Sequence, residues 1–303
     1  MRKLLLSGLT VAAVAIAGFS ASGAFFSDEE VSTGNILQAG SIELGLDNES
    51  YYNGLFNQGT SWDLTFDVDD EGAPYLFLNF LDLKPGDYGE DTISIHVDDN
   101  DSWVCADITL TSNDENDVTE PEDDLEDTEP DGELAQRVNF IWWADDGDNV
   151  LEDDEQVLPG GPLGALGVGE TATVPLADSQ INIWDEGPLP GGTTRYVGKA
   201  WCFGEISTLP LLQDEQTDAW DPSLDNDGNQ TAGEPEDGGY TCNGENETNI
   251  SQTDSLTADI GFRAVQSRHN ADFVCEPPEV EPQPSISPSP SPSVSPSPTP
   301  PLV

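Results

Sequence analysis

Apolar and polar residues alternate with a period of two along most of this chain. Beyond the first twenty residues no stretch of useful length shows the three-to-four spacing of an amphipathic helix. Ser41 to Leu46 sets Ile42, Leu44 and Leu46 against polar or small neighbours, and Thr92 to Val97 and Trp103 to Leu110 alternate likewise. Val138 to Trp143, Thr171 to Leu176, Thr194 to Phe203 and Leu256 to Val265 complete a set of short strands separated by Gly, Pro, Asn and Asp. Tyr75 to Phe80 is denser, which predicts a strand buried on both faces. Strands at this spacing with turn residues between them predict an all-β, antiparallel sandwich or barrel.

Three acidic insertions interrupt the pattern: Asn113 to Glu133, Gly147 to Gly169, and Gln213 to Thr248. Their Asp, Asn, Gly and Glu content predicts surface loops, either disordered or holding ions. The ends have other characters. Arg2 and Lys3 precede a mainly apolar run from Leu4 to Phe19, and Ser22-Gly23-Ala24 supplies small residues for cleavage, so residues 1–24 read as a secretion signal. Residues 277–303, with Pro-Ser alternation from Pro284 to Pro301, read as an extended tail without a packed core. Residues 25–276 then form one β-domain, and the mature chain begins at Phe25.

Among 303 residues, 60 are acidic and 8 basic, a formal charge of -52. That balance argues against nucleic acid and against anionic membrane surfaces as partners; it suits divalent cations, high salt or a cationic polymer, or simply keeps a secreted protein soluble. After the signal is removed no stable membrane insertion is expected. Cys105, Cys202, Cys242 and Cys275 lack CxxC spacing, so a secreted chain uses them as two disulfides rather than as a zinc ribbon. Of three possible pairings, Cys202–Cys242 with Cys105–Cys275 is preferred here: the first closes an acidic loop and the second ties the last strand to the central sheet.

Two loops carry oxygen-rich spacing suited to calcium. Asp225, Asp227 and Asn229 with Glu236 occupy positions 1, 3, 5 and 12 of an EF-hand-like loop, although Gln230 replaces the usual glycine. Asp145, Asp146 and Asp148, followed by Glu152, Asp153, Asp154 and Glu155, sit directly after the apolar Phe140–Trp143. Asp146 and Asp148 are the ligands expected there; a plain acidic hairpin is the alternative. Support for catalysis is thin. His96 and His269 are the only histidines, and neither HExxH nor GxSxG occurs. Trp103 and Trp201 are assigned to the core.

Ala24-Phe25-Phe26-Ser27-Asp28-Glu29-Glu30, Thr33-Gly34-Asn35, Ala39-Gly40-Ser41-Ile42-Glu43-Leu44 and the turn Leu83-Lys84-Pro85-Gly86-Asp87 together cover the first hundred or so residues. They resemble the TasA/camelysin family, secreted proteins processed by SipW-type signal peptidases. The resemblance implies a jelly-roll-like β-sandwich, here with acidic loop insertions, that assembles into an extracellular fibre, biofilm matrix or cell-surface layer. It also implies that residues 25–46 form an N-terminal strand completing the sheet of a neighbouring copy. Phe25 and Phe26 would anchor in the neighbour's groove, and Ile42, Leu44 and Leu46 would face its core. A monomeric calcium-stabilised surface module is the alternative. A camelysin-like metalloendopeptidase ranks third, because no residue here carries that chemistry.

Overall fold

The computed structural model describes residues 27–31, 43–66, 75–123, 132–185, 187–213 and 227–276. Its strands are β1 (Ser27–Val31), β2 (Leu44–Tyr52), β3 (Leu55–Phe56), β4 (Trp62–Thr65), β5 (Tyr88–Val97), β6 (Ser102–Asp114), β7 (Val138–Asp145), β8 (Val157–Pro162), β9 (Thr171–Ala177), β10 (Thr193–Phe203), β11 (Glu205–Thr208), β12 (Tyr240–Asn243) and β13 (Ser255–Gln266). Two single-turn helices, α1 (Glu120–Asp123) and α2 (Leu134–Arg137), lie in the connection from β6 to β7. Every strand pair is antiparallel. One sheet runs β1-β13-β6-β9; a seven-stranded sheet runs β3-β2-β5-β10-β7-β8 with β4 also on β2; β11 and β12 form a small ribbon. The all-β sandwich expected from the alternation is the architecture found.

The alternation explains which side chains meet. Leu44 and Leu46 lie opposite Val97 and Ile95, and Val197 lies opposite Ile93, so all six share one face. They pack with Val104, Ala106, Leu110, Phe262 and Ala264 of the smaller sheet in one core. Within it Lys199 and Asp91, both essentially without exposure, form an ion pair at 2.8 Å. Asn48 donates to the other Asp91 oxygen at 3.1 Å, and the ammonium stands over the rings of Phe77 and Trp142. Loss of either partner would strand a buried charge.

The Leu83–Asp87 turn leads into β5. Asp87 N–H donates to the Lys84 carbonyl, the Asp87 carboxylate accepts from Lys84 N–H, and Gly86 supplies the positive φ of 89°. Tyr75–Phe80, by contrast, is not a strand. Phe77, Leu78 and Phe80 all press on the core, which strict alternation forbids. Phe77 meets Trp62 and Phe262, while Phe80 lies against Tyr52 and Trp201. The segment is an aromatic plug rather than a ladder.

Two further expectations need correction. The stretch 147–169 contains an edge strand, β8, and 213–248 contains β12. Nor is the first of these a surface hairpin: Asp148, Asn149, Val150, Leu151 and Glu152 are all buried. The outer face of the seven-stranded sheet carries Ile141, Trp143 and Ala200, and Leu151 and Tyr240 cover them as a second apolar cluster. Trp143 lies flat across Gly198, where a Cβ would stand 2.0 Å from the indole. Disulfides join Cys105 to Cys275 and Cys202 to Cys242, the preferred pairing. Trp103 and Trp201 are buried, as assigned.

Candidate assembly strand and acidic layer

At the amino-terminal end, β1 lies on the edge of the smaller sheet and pairs with β13 alone, from Ser27 opposite Val265 to Val31 opposite Gly261. Residues 32–43 separate it from β2. Leu44 and Leu46, expected to face a neighbour's core, pack within the single chain in its own core. The reason is energetic. Each buried leucine contributes about 1.5–3 kcal/mol, and β2 is bonded along its length to β5. Exchange of the whole 25–46 segment would need the next copy to supply both in return, whereas exchange of the part preceding β2 leaves the core untouched. Phe25, Phe26 and Ile42 lie outside the described residues.

On the outer face of the seven-stranded sheet, the chain leaving β7 makes a tight acidic turn. The Asp145 carboxylate organises it by accepting from Trp143 Nε1 at 3.0 Å, Gly147 N–H at 2.9 Å and Asn149 N–H at 3.3 Å. Gly147 and Asn149 both have positive φ, so the path needs residues that tolerate it. Glu155 closes the turn: its two oxygens accept from Asp146 N–H and Glu152 N–H, each at 3.0 Å. Carboxylate oxygens of Asp146, Glu152 and Glu155 thereby come within 4.8 Å of one another. Asp148 stands beside them and accepts from Val150 N–H at 2.9 Å. Gln213 reaches across to donate to Asp146 at 3.1 Å.

The turn is fixed to the rest of the layer through backbone bonds between Leu151 and Gly238, and between Leu211 and both Leu151 and Asp153. Beneath it, Glu90 and Asp237 add two further buried carboxylates, and Asn149 Nδ2 approaches Glu90 at 3.5 Å. Burial is the leading cause of the raised pKa values of Asp145, Asp148, Glu155 and Glu90. Asp145 is pushed up to about 7, Asp148 to about 8 and Glu155 to about 9, with mutual repulsion adding to each. Glu90 is raised well above the usual carboxylate range by burial and then by Asp91, Asp237 and Asp145. Oxygen-only donors crowded under low dielectric match what a hard divalent cation requires.

Of the residues singled out in the sequence, Asp146 enters this group and Asp148 adjoins it. Asp225 lies outside the described residues. Asp227 and Asn229 satisfy each other instead: Asn229 donates from its backbone and its side chain to the two Asp227 oxygens, each at 2.8 Å. Glu236 lies in a 3-10 turn whose fully buried carboxylate is the neighbouring Asp237. Among the described residues, Asp227 and Glu236 join no group of three clustered carboxylates. Glu90 and Asp237 escaped notice. The signal for Glu90 was the pair Glu90-Asp91, two charges inside an otherwise β-forming run, one for each face of the sheet.

His96 bridges Asp47 at 2.6 Å and Thr194 at 2.9 Å, a structural role between strands. An apolar cavity of about 280 Å³ opens between the β8 and β9 edges of the two sheets, lined by Ile108, Phe140, Trp142, Leu163 and Val174 among others. Among the described residues no helix is long and apolar enough to cross a membrane. Comparison with known protein families, with curated proteins and with solved structures finds no match to this chain.

Proposed function

We propose that this chain is a secreted structural subunit of an extracellular fibre, matrix or surface layer, and that it assembles by exchanging β1 between copies. The observation that carries this reading is the placement of β1: a terminal edge strand held by one partner, joined to a self-sufficient sandwich by residues 32–43. Released from its own β13, the strand can take the identical register on the β13 of the next copy. Because each copy both gives and receives, the contact is head-to-tail and propagates. Phe25 and Phe26 immediately precede β1 and move with it. Two facing antiparallel sheets, one of four strands and one built on the central run β2-β5-β10-β7, support a jelly-roll reading. Two disulfides suit an oxidising, extracellular setting.

Negative-stain electron microscopy of the mature chain from Phe25, with and without salt and calcium, tests this reading. Deleting residues 25–32 should abolish filaments while leaving the thermal unfolding transition in place. Filaments unchanged by that deletion would overturn it. A calcium-stabilised binding module is a second reading, favoured by the acidic layer. Saturable calcium binding that raises the melting temperature of a chain that never self-associates would support it over the first.

A further inference from the structure

The connection leaving β6 holds another carboxylate group, well separated in sequence from the acidic turn after β7. Glu115 follows the end of β6, Glu122 lies in α1, and Asp254 immediately precedes β13. Oxygens from all three fall within 4.8 Å of one another. Glu122 is completely buried. Its Oε2 accepts from Thr119 N–H at 2.5 Å, but Oε1 meets no hydrogen-bond donor. Glu115 Oε2 and Asp254 Oδ1 are also buried without a donor. None of the ion pairs among the described residues reaches any of the three. Three carboxylate oxygens taken out of water together, each without a donor and none with a countercharge, are costly, and a bound cation removes that cost.

We propose that Glu115, Glu122 and Asp254 form a divalent-cation site that fastens the acidic loop 115–123 to the base of β13. The donor set is entirely carboxylate, and it comes from three separate places in the chain. Hard oxygen ligands on loops that can adjust to a large coordination number select calcium over magnesium, with water completing the shell. The site would also couple the two sheets. The other Asp254 oxygen accepts from Glu133 N–H at 2.6 Å and Leu134 N–H at 3.0 Å, at the start of α2, which runs directly into β7. Two cross-ties already hold the loop in register with the turn before β13: Asn116 Nδ2 donates to the Thr253 carbonyl at 2.8 Å, and Thr253 Oγ1 to the Asp117 carbonyl at 2.6 Å. A cation there would make the order of an acidic loop depend on calcium. The inference is independent of strand exchange.

Calcium chloride titrated calorimetrically into the mature chain and into Glu122→Gln tests it. Glutamine keeps an oxygen for Thr119 N–H and turns an amide toward Glu115 and Asp254, so the variant folds without the ion. The expected result is one fewer calcium equivalent than wild type, whatever the acidic layer binds. Hydrogen exchange gives the local reading: peptides covering 115–123 should gain about tenfold protection with calcium in wild type and none in Glu122→Gln. Glu115→Gln should behave the same way and serves if the first variant misfolds. Equal stoichiometry in wild type and variants, or no calcium-dependent protection at 115–123, would overturn the site.

Discussion

Taking calcium away at neutral pH should destabilise this protein, and acidifying it should then restore stability. Asp145 gives the magnitude. It is 3% exposed, and burial raises it from an ordinary 3.8 to about 7. Between those values the folded chain holds a proton that the unfolded chain has released, so stability falls as pH climbs from about 4 to about 7. At 1.36 kcal/mol for each tenfold difference, the full change is about 4 kcal/mol. For a domain of this size that is on the order of 10 °C in melting temperature. Asp148 and Glu155 act in the same direction and extend the window to about pH 8 and about pH 9. A cation reverses the sign, since it favours the ionised carboxylates; calcium at a hundred times its dissociation constant returns about 2.7 kcal/mol. The assay is calorimetric melting at pH 5 and pH 8, in chelator and in calcium, with enough salt to screen the surface charge. Asp148→Asn isolates the layer, because Asn retains the acceptor for Val150 N–H. In chelator at pH 8 it should melt above wild type. A wild-type protein that melts as high at pH 8 as at pH 5 in chelator would refute the reasoning.

Other consequences concern the frame that carries these sites. Lys199→Ala should cost about 3–5 kcal/mol by leaving Asp91 buried without its cation, and urea unfolding would measure it. Replacing Cys202 and Cys242 by serine opens a loop with a sequence separation of 40, which should cost about 4 kcal/mol in denaturant unfolding and free the β11–β12 ribbon from the large sheet. Gly198→Ala, which drives a methyl group into the Trp143 ring, should quench the cooperative unfolding transition or lower it by several degrees, read by tryptophan fluorescence.

Much of the frame was legible because one physical rule, alternation that sends apolar residues to the face between the sheets, governs β5, β6, β9, β10 and β13. The rule misled where burial had another origin. At Tyr75–Phe80 a dense apolar run looks the same whether it pairs as a strand or plugs a core, and only the tertiary partners Trp62, Phe262 and Trp201 decide. The acidic turn after β7 was found as a cluster of the right chemistry but placed on the surface, since nothing local says that Leu151 and Val150 will carry Glu152 and Asp148 down onto the sheet. Glu115, Glu122 and Asp254 are brought together only by the β6–β13 pairing, which joins residues far apart in the chain. Leu44 and Leu46 were read correctly as core-facing, and within the single chain β2 places them in its own core.

Strand exchange between copies is most directly tested by placing a cysteine at each end of one register pair, Ser27→Cys with Val265→Cys. Assembled under oxidising conditions, filaments of this variant should run as a ladder of covalent multimers on a non-reducing denaturing gel, with unassembled protein at the monomer position. Filaments that migrate as internally bonded monomers, or a mature chain that forms no filaments in salt or calcium, would contradict the account.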